Sequence, residues 1–148
     1  MIESDLLAAV IAGWGWTGIQ PRTITAVSPF GHTVIEDEAA AYWYLDPEMR
    51  TLTRVADDPG QLFAYMNDPE AREIWQAEAL VNAARARLGE PGEGRCYTLK
   101  PLALLKGDYS HDNLCTLPIA ELIHFSGDLE RQTKDLPEGS TFQLKVTE

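Results

Sequence analysis

His111 followed by Asp112 is the pair in this chain whose types suit a general base and its orienting carboxylate, and Tyr109-Ser110 precede it. No GxSxG or comparable nucleophile context accompanies the pair, and a loop histidine more often meets solvent or shapes a turn. Cys96, Cys115, His111 and His124 supply the thiolate and imidazole that zinc favours, but their spacing matches none of the usual zinc frameworks. Cys96 sits in an alternating, strand-like stretch and His124 beside Ile123 and Phe125 in a helical one, so both read as structural. Glu36-Asp37-Glu38 lacks the alternate acids, central glycine and terminal glutamate of a calcium loop. Gly13-Trp14-Gly15-Trp16-Thr17-Gly18 has the glycine spacing of a phosphate cradle, but no strand precedes it and its tryptophans would obstruct an anion. Those tryptophans read as a core plug with an edge available to a contact surface. These residues predict no catalytic set, no metal site and no cofactor. A small hydrolase built on His111 and Asp112 is the alternative.

Charge is more informative than chemistry. Ten of the 23 acidic residues lie between Glu36 and Glu73, opposed only by Arg50, Arg54 and Arg72, so this stretch carries −7 of the net −11. Net negative charge alone keeps a domain dispersed. Concentrated in one stretch, it also steers a basic protein, peptide or cation to the surface and argues against nucleic acid as a direct ligand. The last three acids, Asp68, Glu70 and Glu73, open a predicted helix, whose N-terminus favours negative charge for local reasons. Glu36, Asp37, Glu38, Asp46, Glu48, Asp57 and Asp58 remain as candidate contacts, with Trp43 as their aromatic member. In Tyr42-Trp43-Tyr44, strand alternation puts Trp43 opposite the two tyrosines, so either the sheet is covered on both sides or one aromatic face meets a partner.

The elements that must position these residues follow from periodicity. Ser4 caps a helix predicted over Asp5 to Ala12, ended by Gly13 and Gly15. Four strands are predicted at Thr23–Val27, Thr33–Glu36, Ala41–Leu45 and Thr51–Ala56, joined by short turns as an antiparallel meander. A helix over Gln61 to Met66 follows, then the longest helix, capped by Asp68 with Pro69 at its first position and ended by Gly89. Arg95 to Lys100 alternates as a strand, Leu102 to Leu105 is a short apolar run, and Pro118 opens a last helix reaching about Asp135 unless Gly127 breaks it. Thr141 to Val146 is predicted as a final strand. The order predicts an α+β fold, a mainly antiparallel sheet with three to four helices packed on it, in one domain spanning residues 1–148. The first apolar segment, Leu6 to Ala12, has no basic flank and is too short to span a bilayer. Two cysteines without a CxxC spacing suit a reducing compartment. The expectation is a cytoplasmic protein without a disulfide or membrane contact.

A longer pattern runs through these elements. Gly94, Tyr97, Pro101-Leu102, Leu104-Leu105-x-Gly107 and Asn113-Leu114 precede a helix of the form Ile119-x-Glu121-Leu122-Ile123 with Gln132 beyond. Earlier come Trp14-x-Trp16, the Phe30-Gly31 turn, Tyr44-Leu45-Asp46 and Val55-Ala56-Asp57. Together they resemble the domain of immunity proteins that act against DNase toxins of type VI secretion systems. The chain leaves little room for the N-terminal domain with which that domain is commonly paired, and Lys106-Gly107 stands where family members often carry Gly-Gly. The resemblance implies a non-enzymatic antitoxin whose partner is a cognate toxin with a basic nuclease surface. A general adaptor with an acidic face is the remaining alternative.

Overall fold

The computed structural model describes residues 2–99 and 114–134. Helix α1 (Ile2–Trp14) passes into a 3-10 turn (Gly15–Thr17), which Gly18 ends at φ 93°. Four strands follow, β1 (Pro21–Val27), β2 (Thr33–Asp37), β3 (Tyr42–Asp46) and β4 (Thr51–Ala56), forming an antiparallel sheet in the order β1-β2-β3-β4. Helices α2 (Pro59–Met66), α3 (Pro69–Gln76) and α4 (Glu78–Leu88) come next. Strands β5 (Arg95–Leu99) and β6 (Leu114–Pro118) pair antiparallel as a second sheet, and α5 (Ile119–Thr133) closes the described chain. The fold is α+β, as the alternation of patterns predicts.

Both faces of the four-stranded sheet are covered. On one, Ile35, Trp43 and Leu45 pack with Leu6, Ala9, Val10 and Trp14 of α1 and Ile119, Leu122 and Ile123 of α5. On the other, Val34, Tyr42, Tyr44 and Ala56 pack with Leu62, Tyr65 and Met66 of α2 and Trp75 of α3. The period-two alternation of β3 thus feeds two different layers, which is why its aromatics fall on both sides. A third cluster joins α4 to the second sheet through Val81, Ala84, Tyr97 and Leu114, with Phe30 from the β1–β2 turn. Each edge strand carries its own irregularity: Arg22 and Thr25 in β1 and Val55 in β4 are the extra residues where the register shifts.

Three differences from the sequence reading have physical causes. Helix α1 begins before Ser4 and runs through Gly13, because Gly13 lies against α5: a Cβ there would come within 2.9 Å of the His124 backbone. Its partner at that contact is Gly127, which leaves α5 unbroken to Thr133 as the sequence reading allows, and a Cβ there would lie 2.2 Å from the Gly13 carbonyl oxygen. The two glycines let the helices touch backbone to backbone. The predicted long helix from Asp68 to Gly89 is two helices, broken at Ala77, which adopts a left-handed conformation (φ 40°, ψ 47°). That conformation costs an L-residue about 1–2 kcal/mol, and alanine, the best helix former, gives no warning of it. Strand β6 went unpredicted because Leu114–Pro118 is short and does not alternate. The expected run Leu102 to Leu105 and strand Thr141 to Val146 lie outside the described residues.

Candidate binding surface

The meander separates the eight candidate contacts into two groups. Glu36 pairs in register with Tyr42, and Tyr42 with Ala56, so Glu36, Asp37, Glu38, Asp57 and Asp58 gather at one end of the sheet. Asp46 and Glu48 lie at the other end of β3, four residues or about 13 Å along the strand. Trp43 stands beside the first group.

Four of the five carboxylates at the first end already have side-chain partners within the chain. Asp37 Oδ1 accepts the backbone N–H of Ala39 and Ala41, each at 2.9 Å, tying the β2–β3 turn. Its Oδ2 accepts Trp43 Nε1–H at 2.8 Å, so the tryptophan is oriented by the acid beside it. Burial pushes the Asp37 carboxyl up, but these hydrogen bonds and the nearby Arg54 outweigh that and hold it below its ordinary value. Glu36 pairs with Arg22, Asp57 with Arg54 at 2.6 Å, and Asp58 caps α2 by accepting Gln61 N–H at 2.8 Å. Glu38 is exposed and joins the sheet end through its backbone, its N–H donating to Gln20 O at 2.9 Å. Asp37, Glu38 and Trp43 line a cleft of about 160 Å³ with the segment Thr17 to Gln20.

At the opposite end, Asp46 Oδ1 accepts the N–H of Glu48 at 3.0 Å and of Met49 at 3.1 Å, fixing the β3–β4 turn. The same oxygen faces His32 Nε2 at 3.5 Å, and His32 Nδ1 lies 2.6 Å from the Tyr44 hydroxyl. Asp46 can only accept, so these partners assign the proton to Nε2 and make Nδ1 the acceptor of the Tyr44 O–H. Burial lowers the pKa of His32, with the Asp46 charge opposing in part, and burial raises that of Tyr44. Tyr44 in turn meets Tyr65 and Trp75 edge-on, at 6.0 and 5.9 Å between ring centroids. This chain of half-buried Asp46 and buried His32 and Tyr44 is a polar link between the β3–β4 turn and the α2–α3 layer. Sequence reasoning missed it, because a lone histidine after the Phe30-Gly31 turn carries no spacing signal.

The tryptophan segment is a helix-crossing device. Trp14 is 2% exposed and donates Nε1–H to Ile123 O at 3.1 Å, while Trp16, 38% exposed, donates to Gly13 O at 2.8 Å and Gly127 O at 3.3 Å. Their rings stack at 6.2 Å, and Lys134 Nζ lies 5.7 Å from the Trp16 ring. Both the core plug and the exposed edge are therefore present, in different residues.

The residues considered for other chemistry are dispersed. Cys96 is buried, its thiol pushed up to about 12 by burial, and Cys115 sits diagonally across the β5–β6 pair. His124 packs against Gly13, and among the described residues no group of three or more histidine, cysteine or acidic side chains is placed to hold a metal. His111 and Asp112 lie outside the described residues. Among those described, no helix is long and apolar enough to cross a membrane.

Outside the eight candidates, a groove of about 900 Å³ lies where α3 meets α4, and exposed apolar side chains occur on the helices at Phe63 (73%) and Ile74 (55%).

A crystal structure titled Atu4351 from Agrobacterium tumefaciens superimposes with a TM-score of 0.55 at 12% identity, over 84% of this chain. At that identity the likeness concerns the fold, and this chain spans 63% of that protein's length. No curated protein gives a significant match. The family described as T6SS immunity protein Tdi1, C-terminal, matches residues 57–130, which is half of the 148 residues and runs from the α2 cap through most of α5. On that match, the chain belongs to the family of the C-terminal domain of the T6SS immunity protein Tdi1.

Proposed function

We propose that this protein is a non-enzymatic immunity protein that binds a cognate type VI secretion DNase effector in the cytoplasm and neutralises it by covering its DNA-binding surface. Family membership over residues 57–130 carries the reading. The charge supports the mode of action: a nuclease presents basic surface to phosphates, and a protein of net charge −11 is steered to that surface. Glu36, Asp37, Glu38, Trp43, Asp57 and Asp58 form the proposed contact at one sheet end, with Asp46 and Glu48 as a second pole. Their internal hydrogen bonds divide the labour. Asp37, Asp46 and Asp58 preorganise turns and a helix start, while Glu36, Glu38 and Asp57 present charge whose chief effect is on the rate of encounter.

Co-expression with the product of the adjacent open reading frame tests the function: restored growth and a co-purified complex are expected, and the absence of both sinks it. The triple variant Glu36→Lys, Glu38→Lys, Asp57→Lys tests the surface. It should slow association about tenfold or more and flatten its salt dependence while the fold persists. An unchanged rate and salt slope would remove that sheet end from the mechanism.

A further inference from the structure

We propose that the groove at the α3–α4 break seats a basic segment of the cognate toxin centred on an apolar side chain, an assignment that rests on the immunity role above. The groove exists because Ala77 turns left-handed where a straight helix would have filled the space. Its apolar lining is Pro69, Ile74, Ala77, Ala79 and Leu80, and Glu73 and Glu78 stand beside it with Arg72 as the one cation among the lining residues. Ile74 is 55% exposed, a large apolar surface held in water beside an open concavity. Apolar lining edged by carboxylates suits an aliphatic or aromatic side chain flanked by lysine or arginine, the centre-and-rim arrangement of protein interfaces.

Charge selects among occupants. Residues 57–78 hold six acids and one arginine, so a second copy of this chain would bring like charge to like charge. A small anion is repelled for the same reason. A nuclease's basic surface is attracted. The groove also lies wholly within residues 57–130, the segment that carries the family match, whereas Glu36 to Glu48 fall outside it.

The test uses the full chain and the catalytically inactivated product of the adjacent open reading frame, with binding followed kinetically and protection followed by growth. Ile74→Arg is expected to raise Kd about 30-fold or more, mainly through faster dissociation. Glu73→Lys with Glu78→Lys should slow association about tenfold. Ile11→Arg, at a residue of α1 that is 58% exposed, should change neither. Circular dichroism of each variant establishes that the fold persists. A wild type that protects, together with an Ile74→Arg chain that binds and protects equally, overturns the groove assignment alone. A wild type that neither binds nor protects overturns the immunity role and the groove with it. Wild-type dimers that Ile74→Arg converts to monomers would make the occupant a second copy and also overturn the assignment.

Discussion

The α1–α5 crossing and the α3–α4 junction are both meetings of two helices, and they are built in opposite ways. At the crossing, Gly13 and Gly127 bring backbones into contact and two tryptophans stitch the seam with indole hydrogen bonds. At the junction, a single left-handed alanine parts two helices and leaves an open groove beside an exposed isoleucine. The first uses close packing that tolerates no added atom, and the second retains surface that nothing in the described chain saturates. With recognition proposed at the second pair and stability resting on the first, substitutions should separate the two.

The largest effect is expected at the crossing. Gly127→Ala places a methyl group 2.2 Å from Gly13 O and 2.7 Å from Trp14 Cδ1, forcing the helices apart. Thermal denaturation should register a loss of about 3 kcal/mol, outweighing the ~1 kcal/mol that alanine gains over glycine in a helix. An unchanged melting temperature would dismiss the close approach as a stability determinant. Trp14→Phe removes the donor to Ile123 O and leaves unfilled space, for a loss of about 2 kcal/mol by urea titration. On the junction side, Asp68→Ala deletes the side chain that accepts Ala71 N–H at 3.2 Å and should cost about 1 kcal/mol. Equal sensitivity of the two regions would erase the contrast between them. Ala77→Gly relieves the left-handed strain, less the unfolded-state entropy that glycine adds, and should stabilise by about 0.5 kcal/mol. A destabilisation larger than that would mean the Ala77 methyl contributes packing that exceeds the strain.

The smallest effect at neutral pH belongs to His32, which links the two layers. Its folded-state pKa lies below the ordinary 6.5, so protonation favours the unfolded chain. The stability that neutral His32 contributes is complete above 6.5 and is lost as pH falls through the folded value. Denaturation midpoints measured between about pH 7 and pH 5 should fall for the wild type and fall less for His32→Gln. Equal slopes would exclude His32 as the titrating group.

What the sequence disclosed follows the range of the forces involved. Strand Thr51–Ala56 and the cap at Asp68 rest on alternation and local hydrogen bonds, and the structure has them where those local patterns put them. The Gly13–Gly127 contact joins residues more than a hundred positions apart, so local pattern reads Gly13 as a helix end and does not decide Gly127. Ala77 was illegible for the opposite reason, since its intrinsic preference contradicts the conformation that its surroundings impose. For the candidate contacts, composition located a charged stretch, but only the register of the meander reveals that Asp46 and Glu48 stand at the far end from Glu36 to Glu38. Which acids are spent on turns and caps is likewise a matter of hydrogen bonds that charge counting cannot see.

The register shifts along β1 and β4 have a consequence for life at high concentration. Among the described residues these two strands are the edges of the four-stranded sheet, where unpaired backbone groups invite another molecule to add itself as a further strand. Pro21 withholds an N–H, Arg22 and Arg54 place charge, and the extra residues Arg22, Thr25 and Val55 twist each edge out of the flat geometry that strand addition requires. Edges that refuse to polymerise let the chain reach high concentration without forming fibres.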